Sequence, residues 1–233
     1  MNPQHLFADE RFLGVCAYCG GSSGTRDHVP PRFLLDDPLP SNVPIVFACA
    51  KCNQGASLDE EYFGCFLESV IAGSTRIELL RREKVKKTLS RNDRLAERIR
   101  QAAFVDANGE LSWRPEANRV QNVVVKLARG HIAYELSTMQ NEDPAKVLFF
   151  PLHAISGVDR VNFENAASGQ SRRWPEIGSR AFLRACGARP FADQQGPWVS
   201  VQPSRYRYSV DQHGGIRVQI VISEYLGCLI EWN

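Results

Sequence analysis

Four of the seven cysteines fall into two Cys-x-x-Cys pairs, Cys16/Cys19 and Cys49/Cys52, with 29 residues between the pairs. Two intervening residues let both thiolates of a pair face one ion, and two such pairs complete the tetrahedral sulfur shell that structural zinc favours. The first pair reads Cys-Ala-Tyr-Cys-Gly-Gly, with glycines where the chain must turn, and the second reads Cys-Ala-Lys-Cys-Asn. A redox dithiol is the alternative use of Cys-x-x-Cys, but it has no need of a second copy. Four thiolates leave no open coordination position, so the zinc expected here is structural. Cys65, Cys186 and Cys228 lie in apolar surroundings and read as buried small hydrophobes.

Between the pairs runs Thr25-Arg26-Asp27-His28-Val29-Pro30-Pro31-Arg32, then Ser41-Asn42; the second pair is followed at once by Asn53. A first knuckle, Asp-His-Val-Pro-Pro, Ser-Asn and a second knuckle with trailing Asn resemble the HNH endonuclease superfamily. The resemblance covers residues 14–63, including the helix start Ser57-Leu58-Asp59-Glu60-Glu61-Tyr62-Phe63. It implies a ββα-metal fold and hydrolysis of DNA phosphodiester bonds with a 5′ phosphate product.

On that resemblance each residue receives a role. His28 is the general base that takes a proton from water, since imidazole titrates near neutrality. Asp27 and the carboxamide oxygen of Asn53 hold a catalytic Mg²⁺ or Mn²⁺. Two protein ligands leave most of the coordination sphere to water and phosphate, as magnesium prefers. Asn42 takes the place of the middle letter of the family name and is expected to bond loop backbone and fix how His28 is presented. Cys19 leads into the strand of Asp27 and His28, and Cys52 adjoins Asn53, so closing the zinc site sets the spacing of the catalytic ligands. Asn53 stands where the family name has a second histidine; it keeps an oxygen ligand and disfavours softer metals.

Other roles exist for each of these residues. Asp27 suits a turn before a proline pair, and His28 suits a satisfied half-buried position. Asn53 is a good helix N-cap, a role compatible with metal binding. Asn42 follows Pro40-Ser41 as a turn residue would. Arg32 and Lys51 are candidate phosphate contacts or simply exposed cations.

These groups need elements to hold them. Residues 14–56 are rich in Gly, Pro, Cys and Asn and need a metal in place of a core. From Leu58, Tyr62, Phe63, Phe66, Leu67, Val70 and Ile71 recur at helical steps, with Ser57 and Glu60 as a capping box. Gly73-Ser74 breaks that helix; a second is expected over 75–89, a continuation over 93–104, and a turn at Asn108-Gly109. Asn118–Leu136 is a further helix, with His131 as a core or interface histidine. Val147–Phe163 reads as one or two strands, and Ser179–Cys186 as a short helix. Segments 198–201, 206–210, 216–223 and 226–232 read as a strand meander, with His213-Gly214-Gly215 as a hairpin turn. His5 and His153 show no identifiable partner, and residues 1–13 form a short amphipathic lead-in. The expected class is α+β, divided as a nuclease module (1–75), a partly basic helical region (76–140) and an α+β extension (141–233).

With 43% hydrophobic and 23% charged residues in 233, the chain suits a soluble globular protein with a sizeable core. No run of 18 apolar residues marks a membrane span, and no secretory leader is recognisable, so a cytoplasmic location is expected. The net charge of +2 is uninformative, but residues 76–100 carry ten basic and four acidic side chains. A stretch of that kind either grips phosphates without reading bases or forms a solvated face. DNA is the expected partner, RNA remains open, and double-strand cutting by a one-site nuclease calls for a dimer or paired binding. The rival class is a zinc-stabilised nucleic-acid-binding or protein-interaction module without catalysis.

Overall fold

A computed structural model describes residues 12–165, 174–186, 194–195, 198–212 and 214–233. The lead-in up to residue 11, His5 and His213 lie outside these. The chain is mixed α+β and divides into two compact units, Met1–Gly55 with Val124–Asn233, and Ala56–Val123. No helix of the described residues is long and apolar enough to cross a membrane.

The first unit opens with a two-stranded antiparallel sheet, β1 (Thr25–His28) and β2 (Ile45–Ala48). Asp27 stands opposite Val46, and His28 opposite Ile45. A short helix, α1 (Ala50–Gly55), follows β2 directly, giving the order strand, strand, helix. The β1–β2 connection contains a 3₁₀ turn at Arg32–Leu34, with Leu34 and Leu35 fully buried. That connection is held by distant residues. Asp36 and Gln202 exchange two hydrogen bonds (2.9 and 3.1 Å), and Arg205 Nε donates to the Leu34 carbonyl at 3.0 Å.

This unit also holds a six-stranded antiparallel sheet. In spatial order its strands are β5 (Lys146–Pro151), β10 (Leu226–Trp232), β9 (Ile216–Ile222), β8 (Tyr206–Gln212), β7 (Trp198–Gln202) and β6 (Gln194–Gln195). The last four long strands follow the alternating sequence closely, since each pairs with its chain neighbour across a short turn. The expectation of strand up to Phe163 fails after Pro151. Ser156 instead caps α6 (Gly157–Asn165), its hydroxyl accepting from Asp159 N–H and meeting the Asp159 carboxylate at 2.6 Å. Phe163 of α6 packs with Leu152, Trp198 and Val221 against the sheet. The short helix α7 (Arg180–Ala185) forms as expected, with the Ser179 hydroxyl accepting from Phe182 N–H.

The second unit is built on α2 (Ser57–Ala72), α3 (Glu83–Arg91) and α4 (Asp93–Ala102), which bury Tyr62, Phe63, Phe66, Val85, Leu89 and Ile99. Ser57 does not cap α2. Ala56 keeps helical dihedrals between α1 and α2, so the extended conformation an N-cap needs is absent and no side chain caps there. The helix expected from residue 75 begins only at Glu83. The buried Glu68 carboxylate takes the N–H groups of Arg81 and Arg82 (2.8 and 3.2 Å), which holds that stretch out of helix. The Asn108-Gly109 turn forms as expected and joins a small hairpin, β3 (Ala103–Val105) and β4 (Leu111–Trp113), whose first strand takes residues 103 and 104 from the expected helix. The long helix α5 (Ala117–Leu136) contains the division between the units.

Cys65 and Cys228 are fully buried, and burial pushes the Cys65 thiol up to about 12. Cys186 corrects the sequence reading: it is exposed at the end of α7. His131 is a core histidine, fully buried, stacked on Tyr208 at 3.6 Å and bonded through Nε2 to the Tyr206 hydroxyl at 2.8 Å.

Candidate functional site

The first knuckle is shaped by backbone. Cys16 N–H donates to the Gly21 carbonyl (2.7 Å), and Gly20 N–H donates back to the Cys16 carbonyl (2.9 Å). Closing that turn puts Gly20 at φ +72°, where a side chain would be strained. The second knuckle spans the start of α1, whose geometry brings Cys52 N–H to 3.4 Å from Cys49 Sγ. Ala17 N–H to the Phe47 carbonyl (2.9 Å) and Gly24 N–H to the Ala48 carbonyl (3.2 Å) sew the first knuckle to β2.

All four sulfurs lie within 4.8 Å of one another, with Cys19 and Cys49 at 3.9 Å. A zinc–sulfur bond of about 2.3 Å requires sulfurs about 3.8 Å apart in a tetrahedron, so the cluster fits zinc with little adjustment. The Cys52 N–H lowers the Cys49 thiol to about 7, toward the thiolate a metal needs, whereas burial and crowding raise Cys52.

Asp27 is buried, and its Oδ2 is claimed twice. The Tyr18 hydroxyl donates to it at 2.9 Å, and the Lys126 ammonium lies 2.8 Å away. Lys126 comes from α5, with a side chain only 12% exposed. Its ammonium sits 5.3 Å from the centre of the Tyr18 ring and 3.5 Å from the Asn53 carbonyl. The Asp27 carboxylate and the main-chain carbonyl of Asn53 therefore meet at one positive charge.

Asn53 lies in the middle of α1, not at its cap. Its Nδ2 donates to Thr25 Oγ1 (3.1 Å) and to the Arg26 carbonyl (3.2 Å). A carbonyl can only accept, so this orientation of the amide is forced and Oδ1 is turned away from β1.

Alternation along β1 turns Asp27 and His28 to opposite sides, and the two have different partners. His28 Nε2 is 3.3 Å from Arg32 Nη2. Guanidinium has no acceptor, so Nε2 is the unprotonated ring nitrogen in that contact. Burial, and then the Arg32 charge, hold His28 below the usual histidine range, while Asp27 opposes them. That lowering favours the neutral imidazole. Asn42 donates to the Ser200 carbonyl of β7 at 2.9 Å, so the backbone it grips includes a strand far along the chain. Arg32 and Lys51 are exposed.

The basic stretch of the second unit is partly neutralised. Arg76, Lys86, Arg98 and Arg100 pair with Glu78, Glu83, Glu116 and Glu97. Arg82 is buried. Arg81, Lys87, Arg91 and Arg94 are exposed and belong to none of those pairs.

Sequence reasoning missed Tyr18, Lys126 and Gly130. Gly130 lies one helical turn beyond Lys126, and a Cβ there would stand 2.7 Å from Val29 Cγ2 and 3.3 Å from the Tyr18 hydroxyl. The available signal was a lysine and a glycine four residues apart in one helix, a spacing that shares one face.

In comparisons with known proteins the chain matches no family model, and no curated protein or solved structure gives a significant match.

Proposed function

We propose that the chain is a zinc-stabilised, metal-dependent HNH-type endonuclease that hydrolyses DNA phosphodiester bonds and leaves a 5′ phosphate. The observation that carries this reading is a strand–strand–helix unit beside four clustered cysteines, in which Asn53 of α1 bonds the strand that bears Asp27 and His28.

In this reading His28 accepts a proton from the attacking water. Its neutral state and the lone pair on Nε2 suit that role, and a phosphate that drew Arg32 away would expose the lone pair. Asp27 and Asn53 Oδ1 would hold a Mg²⁺ or Mn²⁺ ion; hard oxygens suit such ions, but Oδ2 of Asp27 has an ammonium beside it, and the Asn53 amide, whose Nδ2 faces β1, would have to turn its Oδ1 toward Asp27. When bound, that ion supplies Lewis-acid relief of charge on the phosphate and the leaving oxygen. Asn42 ties the connection after His28 to β7 and positions it. Arg32 and Lys51 offer phosphate contacts near the site, and Lys87, Arg91 and Arg94 offer further ones on the second unit. RNA carries the same phosphodiester and is a second substrate to assay.

A second reading is a zinc-stabilised nucleic-acid-binding module without catalysis. Two observations favour it: the Asp27–Lys126 ion pair, and the opposite directions of Asp27 and His28 along β1. Plasmid incubated with purified protein and Mg²⁺ or Mn²⁺ separates the two. Nicking that is lost in His28→Ala supports the nuclease; binding of plasmid with no nicking at any metal concentration selects the module.

A further inference from the structure

We infer that Lys126 is a resident counter-cation that keeps divalent metal off Asp27 until a substrate phosphate arrives. The inference rests on the nuclease reading for the identity of that substrate, but its physical core is the charge balance at Asp27.

Among the described residues, the one cluster of three or more His, Cys, Asp or Glu side chains placed to share a metal is the cysteine set. Asp27 is thus outside any such cluster, and its neutral partner Asn53 adds no charge. Divalent affinity of an oxygen site rises with the number of anionic ligands. One carboxylate facing one ammonium at 2.8 Å makes a pair with no net charge.

The ammonium is held by design of the fold. Tyr18 shares its carboxylate oxygen, the Asn53 carbonyl flanks it, and the Tyr18 ring lies over it. Gly130, one turn along α5, permits the close approach to Val29 that delivers Lys126 to this depth. A phosphodiester brings the missing negative charge. Lysine is a flexible point charge, so its ammonium can pass from carboxylate to phosphate and release Asp27 Oδ2 to a metal. Metal and nucleic acid would then bind with positive coupling, and the free protein would hold little magnesium.

The test measures Mn²⁺ binding to full-length, zinc-loaded protein by the electron paramagnetic resonance signal of free Mn²⁺, without nucleic acid. Lys126→Gln removes the charge, and we expect it to bind Mn²⁺ at least about tenfold more tightly than wild type, given the strength of like-charge repulsion at contact distance. Lys126→Arg keeps the charge and should match wild type. The gain should vanish in Asp27→Asn/Lys126→Gln. Affinity that is unchanged or weaker in a folded Lys126→Gln protein overturns the inference, as does a gain that survives loss of the Asp27 charge. Wild type gives a check that needs no variant: the dinucleotide TpT should tighten its Mn²⁺ binding, and absence of that coupling also overturns the inference. Plasmid nicking by wild type separates the two claims. Nicking without a Lys126→Gln gain removes this inference and leaves the nuclease; a gain without nicking keeps the counter-cation and removes the nuclease.

Discussion

Gly130 faces Val29 across a gap too narrow for a methyl group. A Cβ at Gly130 would stand 2.7 and 2.9 Å from the two Val29 methyls. This contact seats α5 against the segment that carries Asp27 and His28.

Gly130→Ala should therefore destabilise the protein even though alanine is the better helix former. Overpacking of this kind costs about 1–3 kcal/mol, against a helix-propensity gain of about 1 kcal/mol. Thermal melts should show a lower Tm for Gly130→Ala, and adding Val29→Ala should recover part of the loss. A Tm equal to or above that of wild type would mean that the helix does not pack this closely.

The four-cysteine cluster should carry about one equivalent of zinc per chain. Cys49→Ser or Cys52→Ser should release it, as measured by elemental analysis of gel-filtered protein. Because Cys52 adjoins Asn53 in α1, loss of zinc should also cost any nuclease activity. Chelation should lower the Tm of wild type but leave the serine variants almost unaffected.

The pH dependence of nicking follows from His28. A base held below the usual histidine range is already deprotonated at neutral pH, so the acid limb of the rate profile should fall below pH 6.5, the ordinary midpoint. The Arg32 charge opposes protonation, so Arg32→Ala should move that limb to higher pH. A limb that stays fixed in Arg32→Ala, or that moves down, would remove Arg32 as a neighbour of the base.

His131 gives an acid-stability prediction. Burial lowers it to about 3, so the folded protein keeps it neutral while an unfolded chain protonates it near 6.5. The folded pKa is the lower one. Its contribution is therefore fully present above pH 6.5 and is lost as pH falls toward 3, at most about 1.4 kcal/mol per pH unit. His131→Gln can still bond Tyr206 but cannot titrate, so its stability should fall less steeply between pH 6.5 and 4 in denaturant titrations. Parallel curves for the two proteins would place the acid sensitivity elsewhere.

What the sequence disclosed depended on how locally each feature is encoded. The strands of 198–232 alternate with a period of two and turn back on themselves, so their boundaries agree with the structure to within two residues. The cysteine spacing likewise carries its own geometry, and the four sulfurs cluster. Features set by partners far along the chain stayed hidden. Nothing near Arg81 announces that the Glu68 carboxylate takes its N–H, and nothing near Asp27 announces an ammonium 99 positions away. Ser57 fails as a cap for a different reason: a capping residue is recognised by type, but whether the backbone there is extended depends on the helix before it.

The reciprocal bonds between Asp36 and Gln202, with those from Asn42 to Ser200 and from Arg205 to Leu34, make the small four-cysteine hairpin non-portable. A fragment ending at residue 75 would retain every cysteine ligand yet lose Lys126, Gly130 and the strand on which its longest loop is moored. Grafting the motif into another scaffold would call for α5 and the β7–β8 corner to travel with it.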